Sequence, residues 1–318
     1  MRYVLRADAS QPIGSGHVMR SSAIAEELIN RGQEVAFVGQ ISDLPWVNDR
    51  ILGLGFSEIC TNPKEFVSNS VSDVLILDSY KISLDDPFIV CSNWYQVIAI
   101  VDEKTPNYSC HLRIHPGLDE SWVGDSSVPI LGGPKYIPFR ASLSQNIARV
   151  NPNQDTFMIA VVAGGSDPYQ LVLEIAKILM KSPEKFEVLL FSNPNFREPL
   201  DSRFRFVEIG PGLDELTQNV DLVLTTASTS SLEFIARGLC VGVACAVDNQ
   251  KQYFESLGRL GAAEQIGFRN SANTWELNDE MIYTLIKSSA LREKLLSNSL
   301  GLIDFRGASR IADAIQAL

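Results

Sequence analysis

Short continuous apolar runs alternate along this chain with longer stretches whose apolar positions recur every three or four residues. The runs at 3–7, 34–38, 73–77, 96–101 and 112–115 are rich in Val, Ile and Leu and predict strands. Between them, 17–31 carries Val18, Ala25, Leu28 and Ile29 on one face and ends before Gly32, which predicts a helix and its stop. Residues 44–53 and 85–93 predict two more helices. The pattern then loosens: Pro129, Gly132-Gly133-Pro134, Pro138 and Asn151-Pro152-Asn153 crowd residues 116–154, as at a domain boundary. After it the same grammar returns. Strands are predicted at 157–163, 186–191, 203–208, 221–224 and 239–247. Helices are predicted from Leu171, with Val172, Ile175, Ala176 and Leu179 on its apolar face, at 212–219, from Asp248-Asn249-Gln250 to about 260, at 275–288, at 290–300 and at 305–318. Strands apolar on both faces, alternating with helices, predict an α/β protein with parallel sheets.

Length supports two domains, because 318 residues exceed what one core usually holds. The formal net charge of −11 argues against nucleic acid as the main partner, since phosphate backbones select basic surfaces. It leaves room for a single nucleotide held by local donors. The five cysteines are odd in number and lack CxxC or metal-ligand spacing, so they read as reduced thiols. The chain enters its first strand with no leader pattern, and its longest apolar run, 239–247, is about half a bilayer span. A cytoplasmic protein with no membrane insertion is expected.

Three stretches have the chemistry of a site. The first is Ile13-Gly14-Ser15-Gly16-His17-Val18-Met19-Arg20, a glycine turn between the first strand and the first helix. It places His17 at a helix start and at a strand's carboxyl end, where open α/β sheets carry their chemistry. Asp8 ends the preceding strand. The second and third, Gly164-Gly165-Ser166 and Ser228-Thr229-Ser230-Ser231, are predicted helix starts whose free N–H groups and small side chains suit a diphosphate. Neither is a Walker loop or a GxGxxG turn. Glu233, one turn further on, can accept both ribose hydroxyls. Asp102-Glu103 forms an acidic pair at a strand end, suited to a sugar or equally to a solvated loop. His111 and His115 have no ligand spacing with His17 on one helix, so no metal site is expected, and a satisfied or surface role suits them best. No G-x-S-x-G elbow surrounds Ser79 or Ser228.

The ordered set resembles the UDP-2,4-diacetamido-2,4,6-trideoxy-β-L-altropyranose hydrolases of pseudaminic acid (nonulosonic acid) biosynthesis. The residues that carry the likeness are Arg6-Ala7-Asp8-Ala9-Ser10 with 13–20, Asp78-Ser79-Tyr80, Gly164 to Pro168, Ser228 to Glu233, Asp248-Asn249-Gln250, and Ile303 to Arg310. Part of the set is shared with GT-B glycosyltransferases. The resemblance implies a GT-B-like fold: two Rossmann-like domains with parallel sheets facing a central cleft. Residues 1–150 would form the domain with the histidine loop, 151–302 the UDP-binding domain, and 303–318 a helix crossing back to the first. It implies inverting hydrolysis of a UDP-sugar to sugar and UDP, without metal or other cofactor. His17 falls on the family's catalytic histidine and acts as general base; Tyr80 and Asn249 complete the catalytic set. Asp8, Gly14, Gly16, Arg20, Gly164, Gly165, Ser166, Ser228, Thr229, Ser230, Ser231, Glu233 and Gln250 would bind the UDP-sugar. Where the family usually has Asp-His-Tyr, this chain has Ser79 in the middle. The alternative is a GT-B glycosyltransferase, in which an acceptor hydroxyl replaces water.

Overall fold

The computed structural model describes residues 1–11, 13–102, 105–118, 127–143, 156–165, 167–192, 201–208, 210 and 213–318. The chain divides into two compact units, Met1–Ser144 with Asp304–Leu318, and Gln145–Ile303.

In the first unit a seven-stranded sheet is built from β1 (Arg2–Ala7), β2 (Glu34–Val38), β3 (Glu58–Cys60), β4 (Asp73–Asp78), β5 (Gln96–Ile100), β6 (Leu112–His115) and β7 (Ile130–Gly132). Its order is β3-β2-β1-β4-β5-β6-β7, with every pairing parallel. The order therefore reverses between β1 and β4, which pair from Arg2 opposite Asp73 to Ala7 opposite Asp78. Such a reversal opens a crevice beyond the strands' carboxyl ends. On one face, Tyr3, Leu5, Phe37, Val74 and Ile98 pack against Val18, Ile24 and Leu28 of α1 (Gly16–Asn30) and Val47 and Ile51 of α2 (Pro45–Gly53).

The other face is not covered by the helix expected at 85–93. Pro87 holds Asp86 extended, and Val90 is extended again, so only two short 3-10 turns form, Pro87–Ile89 and Cys91–Asn93. Aromatic packing does the covering instead. Phe66 stacks on Trp94, Phe88 packs at a tilt against both, and the three close over Val4, Leu75, Leu77 and Val97.

The second unit repeats the topology. Its strands are β8 (Phe157–Val162), β9 (Phe186–Ser192), β10 (Phe204–Glu208), β11 (Leu222–Thr226), β12 (Val241–Cys245), β13 (Glu264–Arg269) and β14 (Trp275–Leu277), ordered β10-β9-β8-β11-β12-β13-β14. Only the β13–β14 pair is antiparallel among these. Again the order reverses between the first and fourth strands. Helices α3 (Leu171–Met180), α4 (Leu213–Leu216), α5 (Thr229–Ala236), α6 (Lys251–Leu260), α7 (Asp279–Lys287) and α8 (Ser289–Ser299) complete it. The helix expected over 275–288 is shorter than its apolar pattern. Trp275–Leu277 pairs with β13, and the Asn278 side chain accepts from the Met281 N–H, starting α7 at Asp279.

The final helix, α9 (Gly307–Gln316), returns to the first unit and packs on α1. Ile311, Ala312 and Ile315 join the core there. Each buried isoleucine contributes about 1.5–3 kcal/mol. The Arg31–Asp313 pair at 2.6 Å is exposed on its Asp313 side, and such pairs contribute roughly 0–1 kcal/mol. Burial therefore docks α9, and Arg31, which also meets Gln316 and Ser309, sets its rotation. At the start of α9 the backbone comes so close that a Cβ on Gly307 would lie 1.9 Å from the Ile137 carbonyl oxygen. Gly307→Ala is expected to destabilise the protein by about 1–3 kcal/mol, the cost of overpacking, seen as a lowered urea midpoint. An unchanged midpoint would show that α9 does not press on the backbone at Ile137.

Candidate active site

Beyond the carboxyl ends of β1 and β4, four elements bring charged side chains together. The turn from β1 to α1 depends on Gly14, whose φ of +83° suits glycine and whose N–H donates to the Ser10 carbonyl at 2.7 Å. Gly16 is the first residue of α1. His17 follows, and Arg20 lies one turn later on the same side of the helix. Both are buried.

Asp78, the last residue of β4, is fully buried and meets both. His17 Nδ1 lies 2.5 Å from Asp78 Oδ1. Arg20 grips the same carboxylate with two donors, Nε to Oδ2 at 2.7 Å and Nη2 to Oδ1 at 2.6 Å. Burial pushes the Asp78 carboxyl up, but the Arg20 charge and then His17 outweigh it, so its pKa lies below the usual carboxylate range. Burial likewise opposes the Arg20 charge, and Asp78 more than restores it, holding the guanidinium pKa well above its ordinary value. An ionised Asp78 only accepts, so Nδ1 of His17 carries the proton of their bond. In the neutral ring Nε2 is then the basic nitrogen. Nε2 has no hydrogen-bond partner among the described residues.

Tyr80 follows two residues after Asp78. Its ring stands nearly perpendicular to that of His17, with centroids 4.2 Å apart. Its hydroxyl donates to Asp102 Oδ2 beyond the end of β5. Burial, chiefly, pushes the Tyr80 phenol far above its ordinary pKa, so it stays protonated. Asp102 also faces Arg20, whose Nη1 is 3.7 Å from Oδ2. Below this group, Tyr108 donates to the carbonyls of Ser79 and Ile82 and pins the loop that follows β4. Burial pushes its phenol up to about 12.

The site thus gathers His17, Arg20 and Tyr80 from the expected set and adds Asp78, which spacing alone did not single out. Arg20, expected to bind substrate, commits Nε and Nη2 to Asp78. Asp8 accepts from Arg6 at 2.7 Å and from the Gln40 N–H at 2.8 Å, tying the end of β1 to the turn after β2. Glu103 lies outside the described residues. His111 accepts from the Val97 N–H at 2.9 Å, and His115 is buried with Nδ1 3.0 Å from the Val101 carbonyl. Among the described residues no group of three or more His, Cys, Asp or Glu is placed to hold a metal ion.

In the second unit the hydroxyl loop and the glycine turn meet at the matching place, between β8 and β11. A Cβ on Gly164 would lie 4.0 Å from the hydroxyls of Thr226, Ser228 and Ser230. Ser228 is extended ahead of α5, but its side chain does not cap the helix; its hydroxyl pairs with that of Thr226 at 3.1 Å. Ser231 turns its hydroxyl to the Ser228 carbonyl at 2.7 Å. The N–H groups of Thr229 and Ser230 have no partner among the described residues, so the start of α5 presents two open donors. Glu233 is half-buried one turn further along.

The glycine turn does not fit that expectation in the same way. α3 begins only at Leu171, and the Asp167 carboxylate takes the N–H groups of Leu171 and Val172 at 2.9 and 3.0 Å. That helix start is already filled by the chain's own anion. Gly165 lies in the turn, and Ser166 lies outside the described residues. Asp248–Gln250 forms a 3-10 turn running into α6. There the Gln250 oxygen accepts from the Ala246 N–H at 2.8 Å, and Asn249 is exposed.

Two Rossmann-like units, whose sheets share one strand order and are parallel but for the β13–β14 pair, give this chain the GT-B type of architecture. Solved structures agree. The chain matches Acinetobacter baumannii MurG with a TM-score of 0.66 at 11% identity, over 100% of both chains. It matches the glycotransferase of kitacinnamycin with a TM-score of 0.66 at 16% identity, over 99% of this chain and 98% of that one. In sequence it is similar, at 22% identity over 82% of this chain, to the UDP-2,4-diacetamido-2,4,6-trideoxy-β-L-altropyranose hydrolase of Campylobacter jejuni, spanning 97% of that protein. It is also similar to an uncharacterized protein of Methanocaldococcus jannaschii, at 23% identity over 80% of this chain, but spans only 58% of that protein's length. No family model matches the chain. Among the described residues no helix is long and apolar enough to cross a membrane.

The buried Asp78 sets a pH dependence. Its folded pKa is depressed, so its stabilising contribution is complete above the unfolded value of about 3.9 and is lost as pH falls through the lower folded value. Asp78→Asn leaves the buried Arg20 without its partner and is expected to cost about 3–5 kcal/mol at pH 7. That gap, measured by urea unfolding, narrows as pH falls below about 4. A gap independent of pH would mean that Asp78 is not the ionised partner of Arg20.

Proposed function

We propose that this protein is an enzyme acting on nucleotide sugars, and that it hydrolyses a UDP-linked diacetamido-trideoxy sugar to free sugar and UDP with inversion and without a metal. The observation that carries this reading is the bond from His17 Nδ1 to Asp78, with Asp78 held by Arg20. It prepares Nε2 of His17 to accept a proton. In the proposed step, water attacks the anomeric carbon and His17 Nε2 takes its proton. The bond from that carbon to the diphosphate oxygen breaks, and UDP leaves with the bonding electrons. Tyr80 and Asn249 join His17 in the catalytic set on the strength of the resemblance, and Tyr80 already lies against the His17 ring.

The open N–H groups at the start of α5, with the hydroxyls of Ser228, Thr229 and Ser230, suit the diphosphate, and Glu233 suits the ribose. Gly164 approaches this group closely enough to border the same ligand. The similarity to the Campylobacter jejuni hydrolase over most of both chains supports the choice of sugar and reaction. Pseudaminic acid biosynthesis in the cytoplasm is the setting this reading implies.

The test is to incubate the protein with UDP-2,4-diacetamido-2,4,6-trideoxy-β-L-altropyranose and a chelator, without acceptor, and follow the anomeric proton by NMR. Sugar and UDP are expected, with the inverted anomer formed first. Intact substrate with UDP still bound would overturn hydrolysis of this sugar and point to a transferase awaiting its acceptor hydroxyl. In the same assay His17→Ala is expected to lower turnover about 10²–10⁴-fold, the usual contribution of a general base, with UDP binding kept. Normal turnover in that variant would sink the mechanism.

A further inference from the structure

We propose that Arg20 is a positioning residue for His17 and not a ligand of the substrate: it keeps Asp78 ionised, and the ionised Asp78 holds the proton of the neutral His17 ring on Nδ1, which leaves Nε2 to accept one. This deepens the hydrolase reading above and rests on it.

The geometry argues for that role on three counts. Arg20 is buried, and two of its nitrogens meet both oxygens of a carboxylate that is itself fully buried. Nη2 of Arg20 also lies 3.2 Å from His17 Nδ1, because both converge on the same Asp78 oxygen. Nη1 then faces Asp102, which accepts the Tyr80 hydroxyl. One guanidinium therefore stands between the carboxylate that orients His17 and the carboxylate that orients Tyr80.

The groups facing His17 are Asp78 from the end of β4, Tyr80 from the loop after it, and Arg20 from its own helix; Asp102 meets Arg20 and Tyr80. Consider the site without the Arg20 charge. A carboxylate enclosed at this depth loses its counter-ion and takes up a proton from solvent. If the proton stays on Asp78, the carboxyl donates to Nδ1 and the neutral ring must carry its own proton on Nε2. If it passes to the imidazole, both ring nitrogens are protonated. In either case Nε2 can no longer accept a proton from water.

The experiment reads the ring nitrogens directly, by 15N NMR of the full chain with labelled histidine. Only three histidines are present, and His17→Gln identifies the signal of interest. In the wild type the neutral His17 ring is expected to show a protonated Nδ1 and a bare Nε2. Arg20→Gln, which keeps a hydrogen-bond donor but no charge, is expected to show a protonated Nε2; Arg20→Lys, which keeps the charge, is expected to retain the wild-type pattern. In the UDP-sugar assay Arg20→Gln is expected to lose about 10²-fold in kcat at neutral pH, recovering as pH rises, with KM little changed. Arg20→Lys, which cannot grip both oxygens at once, is expected to lose up to about tenfold in kcat at unchanged KM.

A bare Nε2 in Arg20→Gln overturns the proposal, as does a raised KM with kcat unchanged in either variant, which would make Arg20 a substrate ligand. Should Arg20→Gln fail to fold, the division between kcat and KM in Arg20→Lys decides by the same criterion. A wild-type protein that turns over no UDP-sugar would sink the hydrolase reading, while the NMR comparison still decides what Arg20 does.

Discussion

A carboxylate with no solvent exposure cannot stand without a counter-charge, and the first unit is arranged around supplying one to Asp78. The strand order does the first part. Because it reverses between β1 and β4, the end of β4 lies beside the turn that starts α1. The helix does the second part. With Arg20 three residues after His17, one face of α1 delivers both a cation and an imidazole to the same carboxylate. The docking of α9 on α1 then matters beyond its own burial, since it helps fix the helix that carries both residues.

The second unit uses the same topology for different chemistry. Its reversal lies between β8 and β11, and what gathers there is neutral: a glycine turn, the hydroxyls of Thr226, Ser228 and Ser230, and the open N–H groups of α5. Donors without formal charge can hold an anion through the helix dipole and through hydrogen bonds, and they avoid the desolvation cost of burying a lysine or arginine. On the proposed reading, one fold thus serves proton transfer in one unit and phosphate binding in the other, the difference residing in a few side chains at equivalent strand ends.

Much of this was legible in the sequence because strand runs and glycine turns are local signals. The parallel α/β character, the helix after Gly14 and the final helix all followed from periodicity. What escaped was non-local or sterically gated. The pair of β7 with β6, and of β14 with β13, involves strands of three residues that no periodicity marks. The 85–93 pattern was helical in its apolar spacing, but Pro87 and the extended Val90 limited it to two short turns. In the site, His17 was legible from its place at a turn, whereas its bond to Asp78 joins residues 61 positions apart. The available signal was Asp78 itself, an acid ending an apolar strand. For α3, the Asp167 carboxylate that fills the helix start is written in the sequence, but only the backbone shows that it turns back onto Leu171 and Val172.

The serine between Asp78 and Tyr80, where the hydrolases it resembles usually carry histidine, can be understood in the same terms. Leaving a strand, alternate residues point to opposite sides, so Asp78 and Tyr80 turn together towards His17 and the middle residue does not. Ser79 is buried, and its hydroxyl accepts the Lys81 N–H at 3.1 Å. Its carbonyl accepts from the Tyr108 hydroxyl at 3.2 Å. Its work is to shape the turn that brings Tyr80 back over the imidazole. Serine at this position therefore leaves the contacts among His17, Asp78, Arg20 and Tyr80 intact.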